Sequence, residues 1–172
     1  GNVPEKFENE EWKIIPSLSI SSYKESPGMS LDKISKEVLN SLNKNKHDFI
    51  VVSIANPELV SREGDFNVTK KACEITDKIF GKIYDHVMVK EGTMIIVGDH
   101  GGADALEKKK NLNPVPFLIL SEEYRGHIGL AGDPPNGDLS LIQPSGKLAD
   151  VAPTVLKILG VDKPGERDGR AL

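Results

Sequence analysis

FIVVSIA, residues 49–55, is a near-continuous β-branched run of strand length. Runs that are apolar on both faces are typical of strands covered on both sides in parallel sheets. The polar stretch NPELVSREGD (56–65) follows as a loop. Beyond it, Val68, Ala72, Ile75, Ile79, Ile83 and Val87 recur at helical spacing, and Lys90-Glu91-Gly92 ends that helix. TMIIV (93–97) then reads as a second buried strand. A strand, a helix and a strand within about fifty residues is the signature of a βαβ unit with a right-handed crossover. The predicted architecture is α/β, a mostly parallel sheet with helices on both faces.

Upstream, Ser30 is the predicted N-cap of a helix whose Leu31, Ile34, Val38, Leu39 and Leu42 share one face and which ends in NKNK (43–46). WKIIPSLSI (12–20) reads as a short extended stretch, and Pro16 makes it an edge rather than a central strand. Downstream, VPFLIL (115–120) resembles a third core strand. Near the end Leu148, Val151, Val155, Leu156 and Leu159 form a last amphipathic stripe, with Pro153 in the first turn and Gly160 at the close. The polar, acidic residues 1–11 and the Gly/Pro-rich 126–138 (GHIGLAGDPPNGD) are expected to be flexible.

The chain has 172 residues, the size of a single domain able to bury a real core. Its 22 basic and 26 acidic residues give a net charge of −4, which argues against nucleic acid or an anionic membrane as partner. No apolar run approaches the roughly 20 residues of a membrane helix. A single cysteine, Cys73, excludes an internal disulfide framework and suits a reducing, cytoplasmic compartment; within its helix it reads as a small buried residue. The chain opens without Met or signal peptide, which raises the expectation of a piece of a larger protein.

In open α/β sheets ligands bind beyond the carboxyl ends of the strands. Three polar segments fall there: Asn56, Glu58 and Arg62; Gly98-Asp99-His100-Gly101-Gly102; and Lys108, Lys109 and Lys110 before Asn113-Pro114. Adjacent Asp99 and His100 at a strand end can both point at one divalent ion such as zinc or manganese, with glycines letting the backbone approach it. The alternative is a turn in which Asp99 caps local amides and His100 is merely polar. The lysine trio either attracts an anion or forms a solvated tip. His47 and His86 read as surface residues; His127 is the better functional candidate, though no partner for it is evident.

In order along the chain, NPELVSREG, VGDHGGAD, NPVPFLIL and GKLADVAPTVLKILGVDKPGERDGRAL, with IPSLSISSYKESPGMSLDKISKEVLNSL upstream, resemble the cofactor-independent phosphoglycerate mutases of the alkaline phosphatase superfamily. The resemblance covers nearly the whole chain and corresponds to the C-terminal part of a phosphatase-like domain, so an incomplete one. It implies interconversion of 3-phosphoglycerate and 2-phosphoglycerate through a phosphoserine, at a site with two manganese or zinc ions. One ion would use Asp99 and His100. At the second, this chain has Glu58 where the family has Asp, and Arg62 and Lys110 where it has His. Glu58 remains a candidate ligand; arginine cannot ligate, and lysine only after losing its proton. The metal is therefore expected to be absent or only partly bound. Either Arg62 and Lys110 place fixed positive charge where the ion would sit, or they are solvated loop residues.

The family's nucleophile, and the inserted domain that grips a phosphorylated small-molecule substrate, have no counterpart here. No catalytic residue is assigned, and the chain alone is expected to be inert. Missing strands would leave apolar edges, so low stability or self-association is expected. Two other readings stay open: a non-catalytic binding or regulatory relative, and another phosphotransferase of the superfamily, such as a phosphatase or phosphopentomutase.

Overall fold

The computed structural model of the chain describes residues 5–103, 111–127, 129, 132–133, 135–138, 141 and 143–172. Helix α1 spans Leu31–Lys44, the single-turn α2 spans Glu58–Ser61, and α3 spans Phe66–Val89. The Asp65 carboxylate caps α3, accepting from the amides of Asn67 (3.1 Å) and Val68 (3.2 Å). Thr69, Ala72, Thr76, Ile79, Ile83 and Val87 are its buried residues, so four of the six predicted stripe positions are buried, two threonines join them, and Val68 and Ile75 are half-buried. Those threonines do not leave polar atoms stranded: each hydroxyl donates 2.8 Å back to the carbonyl four residues earlier. Cys73 is exposed, against expectation, because one step beyond Ala72 turns it about 100° away from the packed stripe.

α1 begins after Ser30 as expected, but the Ser30 hydroxyl does not cap it. It donates instead to the Pro16 carbonyl at 2.8 Å and ties down the chain before the helix. The helix ends where Asn45 turns left-handed (φ 48°). α1 packs on α3, and Leu31, Val38, Ile79, Ile83 and Val87 form the core, bordered by Ile34, Leu42, Ile54, Ile75, Met88 and Met94. Each such aliphatic side chain contributes about 1.5–3 kcal/mol by leaving water.

The sheet differs from the expectation. β1 (Met94–Val97) pairs with β2 (Phe117–Leu120) in antiparallel register, Met94 opposite Leu120 and Val97 opposite Phe117. No parallel ladder occurs among the described residues, because the chain turns back on itself after β1 and a reversal of that kind needs no crossover helix. Residues 49–55 join no ladder there: Phe49 and Val51 are 54% and 76% exposed, and only Ile54 reaches the core. A strand's N–H and C=O groups need a neighbouring strand, and apolar side chains cannot stand in for one. Residues 12–20 likewise enter no sheet.

A 3-10 turn at Leu148–Asp150 leads into α4 (Val151–Ile158), with Pro153 in its first turn. Gly160 (φ 68°) closes it as predicted: the Gly160 amide donates to the Lys157 carbonyl at 3.1 Å and Val161 to Leu156 at 2.9 Å. The predicted apolar stripe is only partly covered, since Leu148 and Leu159 are exposed; Asp150, Pro153 and Thr154 are the buried residues. The Asp150 carboxylate accepts from the amides of Lys147 (2.8 Å) and Arg170 (2.9 Å). The Thr154 hydroxyl donates to the Asp150 carbonyl and accepts from the Leu172 amide, which fixes the last residues against α4.

Candidate functional site

After residue 55 the chain makes a cis Asn56–Pro57 bond and enters α2. Val60 and Ser61 are fully buried, and α2 packs against α3. That burial leaves Glu58 and Arg62 partly exposed, one helical turn apart. The Glu63 carboxylate holds the next residue in place by accepting from the Ser22 hydroxyl (2.6 Å) and the Tyr23 amide (2.8 Å). Those two donors keep its carboxyl below the usual carboxylate range, the Ser22 hydroxyl first. Glu63 is a positioning residue that the sequence reading passed over; its only signal was an acid wedged between Arg62 and Gly64. Asn56, buried beneath the loop, donates its amide to the Pro27 carbonyl at 2.5 Å and supports the turn instead of joining the cluster.

The second segment leaves β1. The Gly98 amide donates to the Pro116 carbonyl at 3.1 Å, and a Cβ on Gly98 would lie 2.8 Å from that of Val115. Gly101 bridges Asn111, whose side chain occupies the space a Gly101 Cβ would need. Close approach of two backbone segments thus accounts for these glycines, where the sequence pointed to approach of the chain to an ion.

His100 is largely buried, and its Nδ1 lies 2.9 Å from the Gly101 carbonyl oxygen. A carbonyl only accepts, so Nδ1 is the donor in that contact and Nε2 is the nitrogen turned toward the cluster. Nε2 is 3.6 Å from Asp99 Oδ1 and 3.8 Å from Glu58 Oε1. Arg62 Nη2 pairs with that same Glu58 oxygen. The structure therefore brings Glu58, Arg62, Asp99 and His100 into one cluster, with Asp99 almost wholly in solvent. Lys110, with Lys108 and Lys109, lies outside the described residues.

A closed divalent-ion site needs about three to four protein donors. Asp99 and His100 supply two, and the Nδ1 contact to the Gly101 carbonyl leaves Nε2 as the ring nitrogen facing the acids. Glu58 would be the third, but its nearest oxygen is held by a guanidinium. Among the described residues no group of three or more His, Cys, Asp and Glu side chains is placed to hold an ion. These donors fit part of a metal centre and not a whole one.

The remaining histidines have local roles. His47 Nδ1 is 2.9 Å from the Ser41 hydroxyl and its Nε2 is 3.4 Å from Glu11. His86 Nδ1 lies 3.3 Å from the Lys82 carbonyl. His127 stacks edge-on against Tyr124, ring centres 6.2 Å apart.

Known proteins give this cluster its context. The chain is 32% identical over 180 residues to the 2,3-bisphosphoglycerate-independent phosphoglycerate mutase of Clostridium kluyveri, 33% over 179 to that of Gracilaria tenuistipitata var. liui and 34% over 180 to that of Clostridioides difficile. In each case all of this chain is matched but only 32–33% of the relative, so the chain spans about a third of their length. A solved Leishmania mexicana phosphoglycerate mutase, crystallised at low cobalt concentration, superposes on 97% of this chain and 32% of its own, with a TM-score of 0.78 and 22% identity. Its fold is shared. Residues 1–163 match the Metalloenzyme superfamily, and the chain belongs to that family.

Proposed function

We propose that this chain supplies one part of a phosphoglycerate-mutase-type site that interconverts 3-phosphoglycerate and 2-phosphoglycerate through a phosphoserine borne elsewhere. In this reading it belongs to a cytoplasmic, alkaline-phosphatase-like domain whose sheet becomes mostly parallel when further strands flank residues 49–55. The observation that carries the reading is the convergence of His100 Nε2 on the Asp99 and Glu58 carboxylates at the end of β1. His100 and Asp99 orient the cluster, Glu63 fixes the turn beneath Glu58, and no described side chain is offered as the nucleophile.

The test is a coupled assay of 3-phosphoglycerate conversion with added manganese or zinc. It is run on this chain alone and on a chimaera in which the chain replaces the matching third of the Clostridium kluyveri protein. The chain alone is expected to be silent. The chimaera is expected to turn over far below the unmodified parent, and to lose a further hundredfold or so with His100→Ala. Turnover by the isolated chain, or indifference of the chimaera to His100→Ala, overturns the reading. A second reading, a non-catalytic relative serving as a binding module, is supported by one observation: Glu58 is already engaged by Arg62. A chimaera with no turnover at all, folded and metal-supplemented, favours it.

A further inference from the structure

Two donors four residues apart on a helical turn lie on one face, the spacing by which a short helix offers two ligands to a single ion. Glu58 and Arg62 have that spacing, but the second side chain is a permanent cation. From this geometry we infer that the Arg62 guanidinium takes the place of a divalent ion at Glu58, so that this part of the centre carries its own positive charge. Among the clustered, described side chains, Asp99 and His100 are left as the pair offered to metal. The inference rests on reading the cluster as a metal-centre position.

Three facts support it. The pairing is direct, Arg62 Nη2 to Glu58 Oε1, and uses the oxygen closest to His100. The guanidinium sits on a turn whose Val60 and Ser61 are fully buried and whose Glu63 is anchored to Ser22 and Tyr23, so it is held at the cluster. His100 is meanwhile fixed by Gly101 with its Nε2 turned toward the two acids. An ion approaching Glu58 must displace the arginine and work against its charge, whereas one approaching Asp99 meets an open carboxylate.

Metal binding tests this without recourse to catalysis. Zinc chloride is titrated into the 172-residue chain and into Arg62→Lys, Arg62→His, Glu58→Gln and the double variant Arg62→His/Glu58→Gln, by calorimetry and by melting with and without EDTA. The wild-type chain and Arg62→Lys should bind zinc equally weakly, and Glu58→Gln should not change that. Arg62→His removes the cation and adds an imidazole one turn from Glu58, so it should bind at least about tenfold more tightly and melt higher with zinc. The gain should vanish in the double variant. Tight wild-type binding that Glu58→Gln weakens overturns the inference, as does an Arg62→His chain that is folded by circular dichroism yet binds no better than wild type. Since Arg62→Lys retains the charge, a zinc affinity rising in that variant also counts against it. Each of these three failures leaves the mutase assay untouched, and turnover by the isolated chain would leave the zinc result standing.

Discussion

Residues 49–55 are more apolar than either helix of the α1–α3 pair, yet the pair is packed and they are not. Leu31 and Ile79 are 1% and 3% exposed, whereas Val51 is 76% exposed. A helix satisfies its own backbone and needs only a surface for its stripe; a strand must find a neighbouring strand before its side chains can be buried. Apolar content alone therefore does not locate the core. Backbone hydrogen bonding decides which apolar residues can be used.

Leu31→Ala in the packed region is the substitution with the largest expected effect, about 3 kcal/mol by urea unfolding, from lost transfer energy and the cavity left between α1 and α3. A loss under about 1 kcal/mol would mean that the helix pair is not the core. Gly101→Ala probes the region between these extremes, where β1 runs on toward β2. The new methyl collides with the Asn111 side chain and comes within 3.2 Å of Asn113 Cβ, for an expected cost of about 1–3 kcal/mol and loss of the His100 geometry. An unchanged melting temperature would show that the bridge yields freely.

The C-terminal clasp contrasts with both regions, since it is buried through polar groups. Thr154→Val leaves the Leu172 amide without its acceptor and should cost about 1–2 kcal/mol. Asp150 adds a pH signature. The Arg170 and Lys147 amides hold its carboxyl below the ordinary value of 3.8, so the unfolded chain binds the proton more readily than the folded one. Its stabilisation is thus fully present above that ordinary value and disappears as the pH falls through the depressed one. An Asp150→Asn chain should lose this component of acid sensitivity; an unaltered acid-unfolding profile would exclude the clasp as its source.

Legibility in the sequence followed the same division. The stripe from Ala72 to Val87, the start at Ser30 and the Gly160 cap all depend on residues within a turn or two of one another, and they were readable. The clustering of Glu58 and Arg62 with Asp99 and His100 was readable because both segments directly follow apolar runs. The antiparallel pairing of β1 and β2 was not, since register is chosen among distant segments. For Arg62 the sequence left a fixed charge at the ion position and a solvated loop residue both open, and it gave no sign of the Glu63 anchor: a charge in a loop looks the same whether it is paired or solvated.

The smallest predicted effect tests the comparison at its weaker end. Val51→Thr keeps the β-branched shape and swaps a methyl for a hydroxyl at a position facing solvent. If Val51 lies on no packed face, unfolding free energy should move by less than about 0.5 kcal/mol. If those residues instead pair with another copy of the chain, the hydroxyl would be buried there, and destabilisation should exceed that bound and grow with protein concentration. Urea melts at two concentrations a hundredfold apart separate the outcomes. A concentration-dependent loss at Val51 would mean that the difference between the two regions reflects a missing neighbour, not an intrinsic inability of this segment to be buried.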